Sequence, residues 1–356
     1  MIDFRYHIVS LISVFLALAV GIVLGAGPLK EAIGDQLSGQ VEGLRADKEQ
    51  LRTDLDEARS DLAAQDAFVD ATASQLVAGT IPGRRVALVE LEPVDEAVVT
   101  ALSERISAAG GAVTSRVVLS DAWVSEGQAK FRQSLATNLT QYVGESGDGS
   151  VDTDLARALV QSLVQIDPAK DTAFSSDALV LQELLAAGDL VTYAQADARP
   201  ADMIVLLSAP AEEDADSTAS SSTQRDTTLL LQRQLARVAR DGAESAVVAQ
   251  VGGTTALVDA LSGDDADKAK VSTVAGADAA SGQITVLLAL SAEASGTVGH
   301  YGAQSGATAV APPVVRLADP DRSARTAQAP TPPDGEDADT DADADAADAG
   351  AGSDAS

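Results

Sequence analysis

From Ile8 to Gly27 the chain runs IVSLISVFLALAVGIVLGAG, twenty positions without a charge. As a helix this run matches a hydrocarbon core roughly 30 Å thick, which predicts a membrane anchor over residues 1–28. The rival reading is a cleaved signal peptide. Against it stand an n-region carrying only Arg5 and His7 beside Asp3, an apolar run longer than a usual h-region, and Pro28 just after the best small-residue cleavage point. Arg5 on one side and Lys30, Arg45 and Lys48 on the other leave the positive-inside balance nearly even. The short N-terminus makes N-in, with the rest of the chain outside the cytoplasm, the expected topology.

Beyond Pro28 the period changes. Leu37, Val41, Leu44, Lys48, Leu51, Leu55, Ala58 and Leu62 follow alternating spacings of four and three, the a/d seam of a left-handed coiled coil. Glu42, Arg45, Asp47, Glu49, Arg52, Asp54, Asp56 and Glu57 keep the remaining surface polar. The expectation is a coiled-coil stalk over residues 29–78 that makes the protein a homo-oligomer, with Lys48 fixing register or copy number at some cost in stability. Such a stalk would reach roughly 70 Å at 1.5 Å per residue. The simpler alternative is a helix packed on its own globular domain.

From Pro82-Gly83 the pattern alternates between strands and helices. Arg84–Leu91 (RRVALVEL) reads as a strand, Asp95–Gly111 as a helix closed by Gly110-Gly111, and Ala112–Leu119 as a second strand. Helices follow at Asp152–Gln165 and Ser176–Ala187. Then come strand Asp202–Pro210, helix Arg225–Arg240, strand Glu244–Gly252, helix Thr254–Leu261, strand Lys270–Gly276 and helix Gly282–Leu290. VALVEL, IVLL and AVVAQV are apolar on both faces, as in a parallel sheet covered by helices on each side. The predicted fold over residues 82–311 is therefore α/β with a Rossmann-like, mostly parallel sheet, and the same runs argue against a transmembrane β-barrel. The acidic, Ser-rich stretch Glu212–Thr223 reads as a solvated loop, and residues 312–356, rich in Pro, Asp and Ala, as a disordered tail.

A formal charge of -30 without a Lys/Arg cluster excludes a nucleic-acid partner. Zero cysteines exclude disulfides, thiolate metal sites and a cysteine nucleophile. G-x-G-x-x-G, P-loop and G-x-S-x-G motifs are all missing, and with His7 and His300 as the only histidines a Ser/His/Asp triad would have to use His300. No catalytic residues are assigned and no enzyme is expected. Gly252, Gly253 and Thr254 form a strand-to-helix turn whose N–H groups could receive an anion, although a tight packing turn explains them as well. His300 and Tyr301, set between glycines in GTVGHYGAQSG, could form a small site; a glycine-rich loop with a partly buried aromatic is the plainer reading. The Asp-Ala repeats of the tail lack the preorganised geometry of a calcium loop.

The opening MIDFRYHIVSLISVFLALAVGIVLGAGPL, the heptads behind it, the RRVALVEL strand and the GQITVLLAL…GTVGHYG segment together resemble the actinobacterial copper transporter B family, from Met1 to about Pro312. The resemblance implies an envelope protein of copper efflux and homeostasis, pore-forming or pore-assisting as an oligomer, with the outer membrane as its location. Copper would be a transported ion rather than a stably bound cofactor, and other envelope proteins would be its partners. The alternative is a non-transporting scaffold or ligand sensor anchored in the envelope. No metal ligands carry over by motif, and thiolate, thioether and imidazole donors are scarce here: two methionines (Met1 and Met203) and two histidines. Met203 falls in a predicted buried strand.

Overall fold

The computed structural model describes residues 4–26, 28–144, 150–194, 198–210, 219–253, 255–304 and 306–322. Two compact units divide the chain, Met1–Ala73 and Ser74–Ser356.

The first unit is helical. α1 spans Phe4–Ala26, and its apolar side chains face outward along Phe4–Val23, twenty residues long enough to cross a membrane and unburied by protein. α2 runs unbroken over Pro28–Val77. Pro28 suits its first position, because an N–H there would have no carbonyl within the helix to donate to and proline carries none. Leu37, Val41, Leu44, Leu51, Leu55 and Leu62 are all exposed on this helix.

The second unit is the α/β domain. β1 (Arg85–Glu90) leads through α3 (Glu96–Ala108) to β2 (Ala112–Leu119). Asp95 caps α3 by accepting the Ala97 N–H at 2.8 Å. Then follow α4 (Asp121–Val124), a short 3-10 turn, α5 (Ala129–Val143), α6 (Val151–Val164), the hairpin β3 (Ile166–Asp167) and β4 (Lys170–Phe174), α7 (Ser176–Ala187) and β5 (Val191–Tyr193). The chain continues through β6 (Met203–Ser208), α8 (Ala219–Gly242), β7 (Ser245–Gln250), α9 (Ala256–Gly263), α10 (Asp265–Lys268), β8 (Ser272–Val274), α11 (Ala280–Ala294) and β9 (His300–Tyr301). The main sheet has the order β5-β2-β1-β6-β7-β8-β9, parallel throughout except for β5 at one edge.

Every residue of β1, β6 and β7 is buried, which is why their sequences are apolar on both faces. On one face Ala87, Val89, Ile204, Leu206, Ala246 and Val248 pack with side chains of α5 to α9. α11 packs on β7, β8 and α3 on the other. Gly282 lets α11 begin close to the preceding turn, since a Cβ there would stand 1.9 Å from the Gly276 carbonyl oxygen.

Three sequence expectations need correction. His300 and Tyr301 are not in a loop: they form β9, pairing with Thr273 and Val274, because the open edge of β8 offers hydrogen bonds that a glycine-flanked dipeptide can take. The last part of the acidic, Ser-rich stretch is not loop either, since α8 starts at Ala219; residues 211–218 lie outside the described residues. The segment 312–322, expected to open the disordered tail, lies against the domain. Leu317 N–H donates to Thr80 O at 3.3 Å, Arg84 Nη1 to Ala318 O at 2.7 Å, and Arg322 Nη2 to Gly83 O at 2.9 Å. Residues 323–356 of the tail fall outside the described residues.

Candidate functional site

Chain order along the sheet reverses between β1 and β6: the chain first moves from β1 outward to β2, then returns to β1's other side and builds β6, β7, β8 and β9. At such a point the loops leaving the carboxyl ends of adjacent strands part in opposite directions, opening a crevice where α/β sheets bind their ligands. Here a cavity of about 1120 Å³ fills that position. Its floor comes from Leu91 and Glu92 after β1 and from Ser208 to Pro210 at the end of β6, and its walls from α4, the start of α9 and the first half of described α8.

Glu92 is the best-placed polar group. Its Oε2 accepts the Ala209 N–H at 3.0 Å and its Oε1 accepts from Gln232 Nε2 on α8. Burial pushes the carboxyl above its ordinary range, against the opposing effect of those two donors. Gln224 ties α8 to α4, its Nε2 donating to Val124 O at 2.8 Å. Thr255, on the cavity wall and 5 % exposed, has a buried Oγ1 with no hydrogen-bond partner among the described residues. Apolar walls from Leu119, Val124, Leu229 and Leu257 stand beside a few converging polar groups, the composition of small-molecule pockets.

The turn residues singled out in the sequence divide here. Gly252 has φ of +78°, a conformation that suits glycine, and its N–H donates to Asp278 Oδ1 at 3.1 Å, so a carboxylate of the chain itself already occupies the amide. Gly253 lies on the cavity wall; Thr254 falls outside the described residues. His300 is elsewhere in the sheet: β9 sets it beside Thr273, which pairs in turn with Val248, well short of the carboxyl end of β7. Its ring nitrogens contact Thr273 Oγ1 at 2.8 Å and Lys268 O at 3.2 Å, and burial lowers its pKa, against the opposing effect of the Lys268 carbonyl. Tyr301 is also buried. Met203 is fully buried in β6. Among the described residues no group of three or more His, Cys, Asp and Glu side chains is gathered as a metal site requires.

Sequence reasoning missed Glu92 and Gln232. The one available signal was an acidic residue directly after a strand apolar on both faces, in LEP at 91–93.

A family model described as copper transport outer membrane protein, MctB, matches residues 1–312. The chain belongs to the MctB family. Proteins named copper transporter MctB from Mycobacterium tuberculosis (strain ATCC 25618 / H37Rv) and Mycobacterium bovis are each 29% identical to it over 320 residues, covering 87% of this chain and 99% of theirs. The Mycobacterium leprae protein of that name is 30% identical over 327 residues, covering 88% of this chain and 100% of its own. The MctB match takes in α1, α2 and the α/β domain with its cavity, and stops at the start of the 312–322 segment.

Proposed function

We propose that this protein serves copper transport at the cell envelope as a membrane-anchored, self-associating and non-enzymatic protein, with copper as cargo rather than resident cofactor. The carrying observation is that one family match, to proteins described by copper transport and the outer membrane, covers the apolar helix α1 and the α/β domain in a single chain. α1 holds the chain in the bilayer, with the N-terminus inside and the α/β domain outside the cytoplasm. α2 brings copies together as a coiled coil through Leu37, Val41, Leu44, Lys48, Leu51, Leu55 and Leu62. A lone helix satisfies its own backbone but encloses no channel, so conduction through this protein requires several copies or a partner protein. The second reading, a ligand sensor of the envelope, is favoured by the cavity at the β1/β6 crossover.

The deciding measurement is total cell copper in a deletion strain and its complemented counterpart grown in raised copper. Copper retention in the deletion, reversed by complementation, is the expected outcome. Equal copper in both strains would remove the transport reading and leave the sensor reading.

A further inference from the structure

α2 carries a second pattern beside its apolar seam. In a heptad a leads to d after three residues and d to the next a after four, so Val41, Lys48, Leu55 and Leu62 hold position a, and Leu37, Leu44, Leu51 and Ala58 hold position d. The positions flanking that seam then segregate by charge. Asp47, Asp54 and Asp61 occupy g, while Arg45, Arg52 and Arg59 occupy e. All six are exposed on a helix unbroken from Pro28 to Val77, beside seam leucines as open as Leu44 and Leu51, each 68% exposed.

Flanking charges set orientation in a coiled coil. When two helices run parallel and in register, each g residue faces the e residue five places further along the other chain. Asp47 then meets Arg52 of a second copy and Asp54 meets Arg59, and two-fold symmetry repeats each pair. When the helices run antiparallel, g faces g and e faces e. Aspartate would then oppose aspartate and arginine oppose arginine over the stretch from Arg45 to Asp61. A parallel slip of one heptad is also penalised, because it sets Asp54 against Asp66 and separates Lys48 from its counterpart. In register, each Lys48 lies in a hole that includes Asp47 of the other copy, which offsets the repulsion between the two lysines. The acid-base alternation ends at Asp61, whose parallel counterpart would be Asp66.

We propose that α2 pairs with α2 of a second copy, parallel and in register, with the g-position aspartates meeting the e-position arginines. The inference rests on the coiled-coil reading above and adds direction and register to it. Contacts within one chain do not compete strongly for these arginines. Arg52 lies 3.8 Å from Glu49 and Arg59 lies 3.6 Å from Asp56, with all four side chains more than 60% exposed, loose pairs that solvent screens. An anchor preceding α2 in every copy imposes the same direction, since it puts all the N-terminal ends at one bilayer.

The chain has no cysteine, so a single introduced thiol reports one position. Full-length Leu44→Cys and Leu62→Cys, at d and a, are expressed in membranes alone or together and oxidised with diamide, with Ser60→Cys at the outward f position as control. Each seam variant alone is expected to form at least roughly tenfold more linked dimer than the control, because only facing seam positions bring the Cβ atoms within disulfide reach. Asp47→Arg with Asp54→Arg should cut that linkage severalfold, and co-expression with a chain carrying Arg52→Asp and Arg59→Asp should restore it. Linkage found only between residues 44 and 62 in mixed membranes would establish an antiparallel coil, overturning the proposal while sparing the coiled coil. Linkage no greater than the control at both seam positions would overturn the coiled coil and the proposal together. Homotypic linkage indifferent to charge reversal would overturn the role given to the aspartates and arginines.

Discussion

Asp202 is 1% exposed just before β6, and several polar groups converge on it. Its carboxylate accepts the Arg85 N–H at 2.9 Å and both Nε and Nη2 of Arg322, at 2.9 and 2.6 Å. Burial alone pushes this carboxyl up, but the hydrogen bonds from Arg322 and the Arg85 backbone, with the two guanidinium charges, outweigh it and leave the group below its ordinary range. A carboxyl whose folded value lies below its unfolded one contributes stability that is present above the unfolded value and is lost as pH falls through the folded value. Asp202→Asn should therefore cost about 3 kcal/mol at pH 7, because it removes the buried charged acceptor of the Arg322 guanidinium and the Arg85 N–H. The difference from the parent chain should shrink once pH drops below about 4. Trp123, the single tryptophan and 2% exposed, reports unfolding in urea by fluorescence, and equal midpoints at pH 7 would contradict the assignment.

At the scale of elements, the segment 312–322 acts as a strap, and its loss should be felt at Asp202. A chain stopped after Pro312 loses Arg322 from that carboxylate and the Ala318 carbonyl from Arg84, so it should unfold at lower urea than a chain stopped after Arg322, which should match the full-length protein. Identical midpoints for the two truncations would show that the strap contributes nothing. The central strands were legible because burial on both faces forces unbroken apolar runs, and β1, β2 and α7 lie within a residue of their predicted limits, while α3 stops at Ala108, short of the predicted Gly111. α5 was not legible, because its buried stripe of Arg132, Ala136, Leu139 and Val143 includes a charge. Arg132 is buried there because its Nη1 donates to the Ala122 and Ser125 carbonyls at 3.0 and 2.6 Å, closing the end of α4. β5 and β9 owe their existence to the strands they pair with, and three or two residues carry no period to read. The cavity was hidden for a related reason: its floor and walls come from segments far apart in the chain, brought together by sheet order alone.

For the whole molecule the first question is what holds it at a membrane. Removing residues 1–27 should move the chain from the membrane fraction to the soluble fraction, since α1 is the one helix among the described residues long and apolar enough to cross a bilayer. Retention of the shortened chain in the membrane fraction would assign the attachment to another surface. The strap has a geometric consequence at this scale. Arg322 donates to Gly83 O at 2.9 Å, so the described chain leaves the α/β domain beside the residues through which it enters, at the amino ends of the strands. The cavity opens at their carboxyl ends. A fluorescent reporter spliced directly after Arg322 would hang from the rim opposite the cavity mouth, leaving that mouth clear, and a pull between the domain's two ends would load the clasp at Gly83 and Arg322 before it loaded the sheet.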